Sequence, residues 1–368
     1  MHSEAAPISV PLETEVVVIG AGPAGLFQLF QLGLQGLACH AIEALPHPGG
    51  QCAELYPHKP IYDIPALPAC SGAELAERLH AQLAPFAIDW HWGQQVTGLR
   101  DQPDGRLLVE TAQGLRITAQ AVVLALGAGA FVPRKPRLEG LEALLASGHQ
   151  VFLQSHDRLA PVAGARVLIH GGDETAVAKA LTLAALPAEQ APQSIGLLHR
   201  RDVFKADARS LQTLQALRAQ GRIRVHIGQP EALLTSADAT PDGRTRLQAL
   251  QILDAEGNTQ ELPIDVLLVY QGISPKLGEA LDWGLAQQNK YFIVDPATQR
   301  SSRTGVYAIG DIAHYPGKRK LIASAFHEAI MAGFALAEQL RGQPVLLQYT
   351  TTSTQLLERL GKPAAARD

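Results

Sequence analysis

Glu15-Val-Val-Val-Ile-Gly-Ala-Gly-Pro-Ala-Gly25 decides the fold. An apolar run, residues 16–19, enters three glycines spaced G-x-G-x-x-G, and an apolar-rich helical stretch follows to residue 34. In such a turn Gly20 permits the tight bend, Gly22 admits a pyrophosphate to the backbone, and Gly25 lets helix pack on strand. Pro23 and Ala24 fall in the first helical turn, where the N–H that proline lacks has no intrahelical partner anyway. That helix N-terminus offers free N–H groups and partial positive charge to phosphates. The next strand, residues 38–42, ends in Glu43, an acid about twenty residues on that is expected to bond an adenosine ribose.

A second turn of this kind begins at Arg166: Arg-Val-Leu-Ile-His-Gly-Gly-Asp-Glu-Thr-Ala176. Gly171 and Gly172 open it, and Asp173 occupies the middle glycine's place. A side chain there obstructs close approach, and its carboxylate repels a pyrophosphate. The following strand, residues 194–198, ends in His199-Arg-Arg201. Arginines at that edge pair with a 2′-phosphate, so Arg200 and Arg201 point to NADP(H) rather than NAD. Two dinucleotide turns in one chain suggest electron transfer between two dinucleotides.

Both units continue in the same order. Short runs separated by Asp-Gly or similar turns (residues 96–99, 107–111 and 115–119) lead to an apolar strand, 121–126. In the second half, 232–235, 247–253 and 260–263 lead to 266–270. Such turns between alternating runs are hairpin signals. The expected fold is therefore α/β: two Rossmann-like, three-layer ββα nucleotide-binding domains, one inserted into the other. The outer domain takes residues 1–129 and 269–368, and the inner domain 130–268. Near the C-terminus, Thr304-Gly-Val-Tyr-Ala-Ile-Gly-Asp-Ile312 leads to a helical stretch, residues 324–340, and Asp311 is either a cap or an acceptor for a flavin's ribityl hydroxyl.

Composition narrows the class. The 31 basic and 35 acidic residues leave a net charge of −4, which excludes general nucleic-acid binding. No apolar run reaches the roughly 18 residues of a membrane span, and residues 1–15 carry no basic-apolar leader, so a cytoplasmic location is expected. Three cysteines, none in a C-x-x-C pair, predict neither a disulfide framework nor a redox dithiol, and Cys52 reads as a packing residue. Thirteen scattered histidines give no metal spacing.

The set Gly20-Ala-Gly-Pro-Ala-Gly25, Pro48-Gly-Gly-Gln-Cys-Ala-Glu-Leu-Tyr-Pro57, Ile61-Tyr-Asp-Ile64, His199-Arg-Arg-Asp202, Gly310-Asp311 and Tyr315-Pro-Gly-Lys318 resembles the thioredoxin-reductase-like ferredoxin–NADP⁺ reductases over essentially the whole chain. The resemblance implies FAD and NADP(H) as cofactors, FAD for the outer domain and NADPH for the inner. It assigns Glu43 to the adenosine ribose, Gln51 and Phe131 to the flavin site, Tyr56 to stacking on the isoalloxazine, Val96 to the adenine and Asp311 to the ribityl chain. It assigns a further flavin contact to Thr352, within Thr350-Thr-Thr-Ser353; Thr350 stands where an aromatic ring commonly covers the flavin. It implies a homodimer, a rotating inner domain, and a ferredoxin- or flavodoxin-type carrier as partner. No acid or base is required, so no catalytic side chain is expected. An acidic carrier calls for a basic docking face, and Lys318-Arg-Lys320 is the best candidate, with Lys205 the weaker. Two other readings are a reductase of a small thiol, quinone or metal chelate, and a flavin-binding redox sensor without turnover.

Overall fold

A computed structural model describes residues 10–154, 160–236, 245–345 and 353–362. The chain divides into two compact units, Met1–Phe131 with Pro275–Asp368, and Val132–Ser274. These seams lie a few residues after the expected 129/130 and 268/269. The reason is local: the strand Val266–Val269 is paired on both sides within the second unit, so a cut at 268 would sever it. The connections Ala130–Pro133 and Ile273–Lys276 form a small two-stranded sheet of their own.

The first unit is built on a seven-stranded sheet. Four of its strands, Ile88–His91 at the edge, then Cys39–Ile42, Leu12–Ile19 and Arg116–Leu124, run parallel, and Val306–Ala308 adds a further parallel partner to the last. Period-2 alternation sends Val16 and Val18 to one core and Val17 and Ile19 to the other. The first core is closed by the helix Pro23–Gln35, through Leu26, Leu29 and Leu32, and by the helix Ile322–Arg341, through Ala329, Ala332 and Leu336. Gly333 lets these helices approach: a Cβ there would lie 3.1 Å from the Cβ of Gln31.

The expected separate strands at 115–119 and 121–126 are one strand, Arg116–Leu124. No turn residue lies between them. The N-terminal half pairs antiparallel with Leu107–Thr111, and the C-terminal half pairs parallel with Val306–Ala308. One continuous strand thereby joins the antiparallel layer to the parallel one.

The second unit repeats the plan. Val151–Leu153, Val266–Val269, Arg166–His170, Ser194–His199 and Arg224–Ile227 form a parallel sheet in that order. Val167 and Ile169 face the helices Glu174–Ala184 and Ala208–Ala219, whereas Leu168 faces a separate antiparallel sheet of Gln229–Ser236, Arg246–Leu253 and Thr259–Pro263. The Asp-Gly turn expected between the runs 232–235 and 247–253 lies outside the described residues. Among the described residues no helix is long and apolar enough to cross a membrane, and no group of histidine, cysteine and acidic side chains is arranged to hold a metal ion.

Candidate functional site

The first glycine turn is closely packed at two of its glycines and open at the third. Gly20 has φ +104°, and a Cβ on it would lie 2.4 Å from the carbonyl oxygen of Ala125. A Cβ on Gly25 would lie 1.8 Å from the oxygen of Gly20. Neither position accepts a side chain. Gly22 differs: a Cβ there would meet only the Cα of Gly50, at 3.9 Å. Gly22 is also the N-cap of the helix Pro23–Gln35, and no side chain caps that helix end. The turn thus offers an open, electropositive cradle.

The Pro48-Gly-Gly-Gln51 segment crosses directly over it. Gly49 N–H donates to the carbonyl of Ala21 at 2.8 Å, and a Cβ on Gly50 would lie 2.9 Å from the Cα of Gly22. The crossing delivers Gln51 and Tyr56, whose hydroxyl donates to Gln51 Oε1 at 3.3 Å. Glu43 is buried; its Oε2 accepts from Ala21 N–H at 2.6 Å and its Oε1 from Leu45 N–H at 2.9 Å. Burial raises its carboxyl above the usual carboxylate range, and the backbone donors oppose that rise.

These residues line one cleft of about 1330 Å³, open mouth included. Of the expected positions, Gly20, Gly22, Ala24, Glu43, Gln51, Tyr56, Val96, Phe131 and Asp311 all border it. Gly25 stands behind the turn as a packing position. Thr350 and Thr352 lie outside the described residues. Asp311 reaches the cleft from the short helical turn Gly310–Ile312, and its carboxylate makes no hydrogen bond or ion pair among the described residues.

Sequence reasoning did not find Lys276, Leu277 and Trp283, which also border the cleft. Nor did it find Glu328, whose fully buried carboxylate accepts from Gly310 N–H at 2.7 Å and from the Tyr315 hydroxyl at 2.7 Å, and pairs with Lys318. Burial, then the adjoining Glu328 carboxylate, drives the Tyr315 phenol well above its ordinary range. A signal existed. Glu328 is the one charged residue on the stripe of Ala325, Ala329, Ala332 and Leu336.

The exposed basic face expected at Lys318-Arg-Lys320 does not include Lys318. Its side chain is 6% exposed and committed to Glu328. Lys320 remains at the surface, with Nζ 3.6 Å from the centroid of the Tyr291 ring.

The second turn uses its glycines differently. A Cβ on Gly171 would lie 2.1 Å from the carbonyl oxygen of Tyr270, and one on Gly172 would lie 2.5 Å from the His199 ring, so both positions are filled by protein. Asp173 is the N-cap of the helix Glu174–Ala184. Its Oδ1 accepts from Ala176 N–H at 3.1 Å and from the Thr175 hydroxyl at 2.7 Å. The chain's own carboxylate therefore sits where the first turn leaves room for a ligand's anion. Arg200 and Arg201, at the end of Ser194–His199, are exposed, and their guanidinium groups have no hydrogen bond or ion pair among the described residues.

The Asp173→Gly variant separates these effects. Glycine caps nearly as well, so helix stability is expected to fall by only about a few tenths of a kcal/mol. On the expectation that NADPH binds at this turn, freeing the helix end should tighten its binding by roughly 2–5-fold, the scale of one anion at a helix N-terminus. A titration in which affinity falls instead means that the aspartate contributes to the binding surface.

All three cysteines are buried. Cys52 borders the cleft, and burial, reinforced by Asp311 and then Cys70, pushes its thiol up to about 11. A thiol held protonated at neutral pH is a poor partner for thiol–disulfide exchange.

A model of the pyridine nucleotide-disulphide oxidoreductase family matches residues 14–333. The chain is 51% identical over 354 residues to a ferredoxin–NADP reductase of Paracidovorax citrulli (strain AAC00-1), covering 96% of this chain and 98% of that one. It is 52% identical over 351 residues to a ferredoxin–NADP reductase of Acidovorax sp. (strain JS42), covering 95% and 96%. The solved thioredoxin reductase of T. acidophilum superposes with a TM-score of 0.52 at 20% identity, covering 89% of this chain and 99% of that one, a likeness of fold alone.

Proposed function

The chain belongs to the pyridine nucleotide-disulphide oxidoreductase family, and from that premise we propose that it is an FAD-dependent ferredoxin–NADP⁺ reductase. The observation that carries this reading is the cleft itself. It gathers an uncapped helix N-terminus at Gly22, the buried acid Glu43, Gln51, Tyr56, Phe131 and the unpaired carboxylate of Asp311. Relatives named ferredoxin–NADP reductase match it over nearly their full length.

The cleft fits FAD. The glycine turn and the end of Pro23–Gln35 would hold the pyrophosphate, Glu43 the adenosine ribose, Val96 the adenine and Asp311 the ribityl hydroxyls. Gln51, Tyr56 and Phe131 would border the ring system. The chemistry that bound FAD supplies is the conversion of a two-electron donor into single-electron deliveries. The protein's share is alignment and exclusion of water. Glu328 anchors Gly310 N–H and so fixes the backbone that presents Asp311. Arg200 and Arg201 would pair with the 2′-phosphate of NADPH. The buried, protonated Cys52 and the lack of any C-x-x-C pair argue against a dithiol relay. A cytoplasmic homodimer is part of the same reading, and sedimentation of the FAD-loaded protein checks the stoichiometry.

Anaerobic stopped-flow is the test. The visible band of the FAD-loaded protein should bleach on mixing with NADPH and return when ferredoxin is added; a band unchanged at millimolar NADPH refutes the enzyme. Arg200→Ala and Arg201→Ala should each weaken NADPH by about 1.5–3 kcal/mol, as for hydrogen bonds to a charged group, and leave NADH unchanged. Equal losses for both nucleotides would remove the 2′-phosphate role.

A further inference from the structure

The cleft's opening has a composition of its own. Tyr56 and Leu321 both border the cleft, yet they are 39% and 49% exposed, which places them at its mouth. Lys59 Nζ stands 5.6 Å from the Tyr56 ring, and Tyr62, in the same segment, is 71% exposed. On the other side Leu321 follows Lys320, which borders the cleft and lies over Tyr291. Ile293, two residues along the strand Tyr291–Ile293 and so on the same side as Tyr291, is exposed as well.

Charge along this rim is mainly positive: Asp63, exposed beside Tyr62, is a flanking acid without an ion pair among the described residues, and Glu54 pairs with His47. Residues 55–62, 291–293 and 315–321 contain no aspartate or glutamate. Lys318 is neutralised internally by Glu328. Lys59, Arg319 and Lys320 are exposed and have no ion pair among the described residues. An otherwise acidic chain of net charge −4 therefore presents unpaired cations around exposed aromatic and aliphatic side chains, next to the cleft. A protein interface of this kind combines an apolar centre with a charged rim that steers the partner.

We propose that Lys59, Arg319 and Lys320, with Tyr62, Leu321 and Ile293, form the docking face for an acidic one-electron carrier protein. The inference rests on the reductase reading above. The apolar residues supply close contact beside the cofactor cleft, and the cations orient the carrier before contact. All of the face belongs to the first unit.

The test uses the FAD-loaded enzyme with Lys59→Glu and Arg319→Glu, singly and together; neither residue borders the cleft. Ferredoxin reduction by NADPH is measured between low and high salt beside reduction of menadione, a small uncharged quinone. The double variant should raise KM for ferredoxin by about tenfold or more at low salt, a difference that salt screens away. Menadione turnover and the visible flavin band should stay within twofold. Lys59→Gln and Arg319→Gln should give smaller rises in the same direction. A ferredoxin KM within twofold of the unaltered enzyme in every variant overturns the docking face and leaves the reductase reading intact. An unaltered enzyme that reduces menadione but not ferredoxin overturns both.

Discussion

Gly22→Ala is expected to give a folded protein that binds FAD at least tenfold more weakly, a loss of about 1.4 kcal/mol or more. The turn's packing sets the contrast that makes this informative. An alanine methyl at 22 meets no protein atom closer than 3.9 Å, so the protein alone tolerates it. Gly22 also has φ −71°, within the range of ordinary residues. Any cost therefore falls on whatever occupies the space above the helix end. Gly25→Ala tests the opposite case. Its methyl would lie 1.8 Å from the Gly20 oxygen, an overlap that moves the helix off the strand. That variant should lose stability outright, with or without cofactor. Circular dichroism and thermal melts of the apoproteins separate the two, and FAD titrations followed by flavin fluorescence read the affinities. Gly22→Ala binding FAD as tightly as the unaltered protein would mean that the cradle is not used.

The first unit was the more legible of the two because its turn obeys a single constraint. Strand, glycines, helix and acid each follow from holding a pyrophosphate at a helix end, and the sequence displays them in order. The second turn looks similar as text, but its glycines answer to Tyr270 and His199 and its third position to helix capping. A G-G-D string does not say which constraint applies. The capping box of Ser71 and Glu74, by contrast, was open to reading and starts the helix Gly72–Ala81.

Long-range pairs were the least legible. Lys318 lies in an apparently solvated Lys-Arg-Lys run, and only its fold-back onto the helix Ile322–Arg341 shows that one of the three cations is internal. Trp283 and Lys276 border the cleft because the chain returns from the second unit beside it, an encounter that no local pattern encodes.

Lys318→Met should destabilise the first unit by about 3–5 kcal/mol, the usual consequence of removing one partner from a buried ion pair. Glu328 is fully buried, so its carboxylate would be left with two hydrogen-bond donors, Gly310 N–H and the Tyr315 hydroxyl, and no cation. Water does not reach it to replace the lysine. On this scale the melting temperature should fall by roughly 10 °C. Glu328→Gln alone should also destabilise, because it strands the buried ammonium of Lys318. The double exchange, Lys318→Met with Glu328→Gln, removes both charges while keeping an acceptor for Gly310 N–H. It should therefore be more stable than either single variant, a strongly non-additive cycle. FAD retention should follow the same order, since Gly310 carries the backbone into Asp311. Single variants that melt within about 2 °C of the unaltered protein would show that the pair is solvated in solution, and the positioning role given to Glu328 would fall with it.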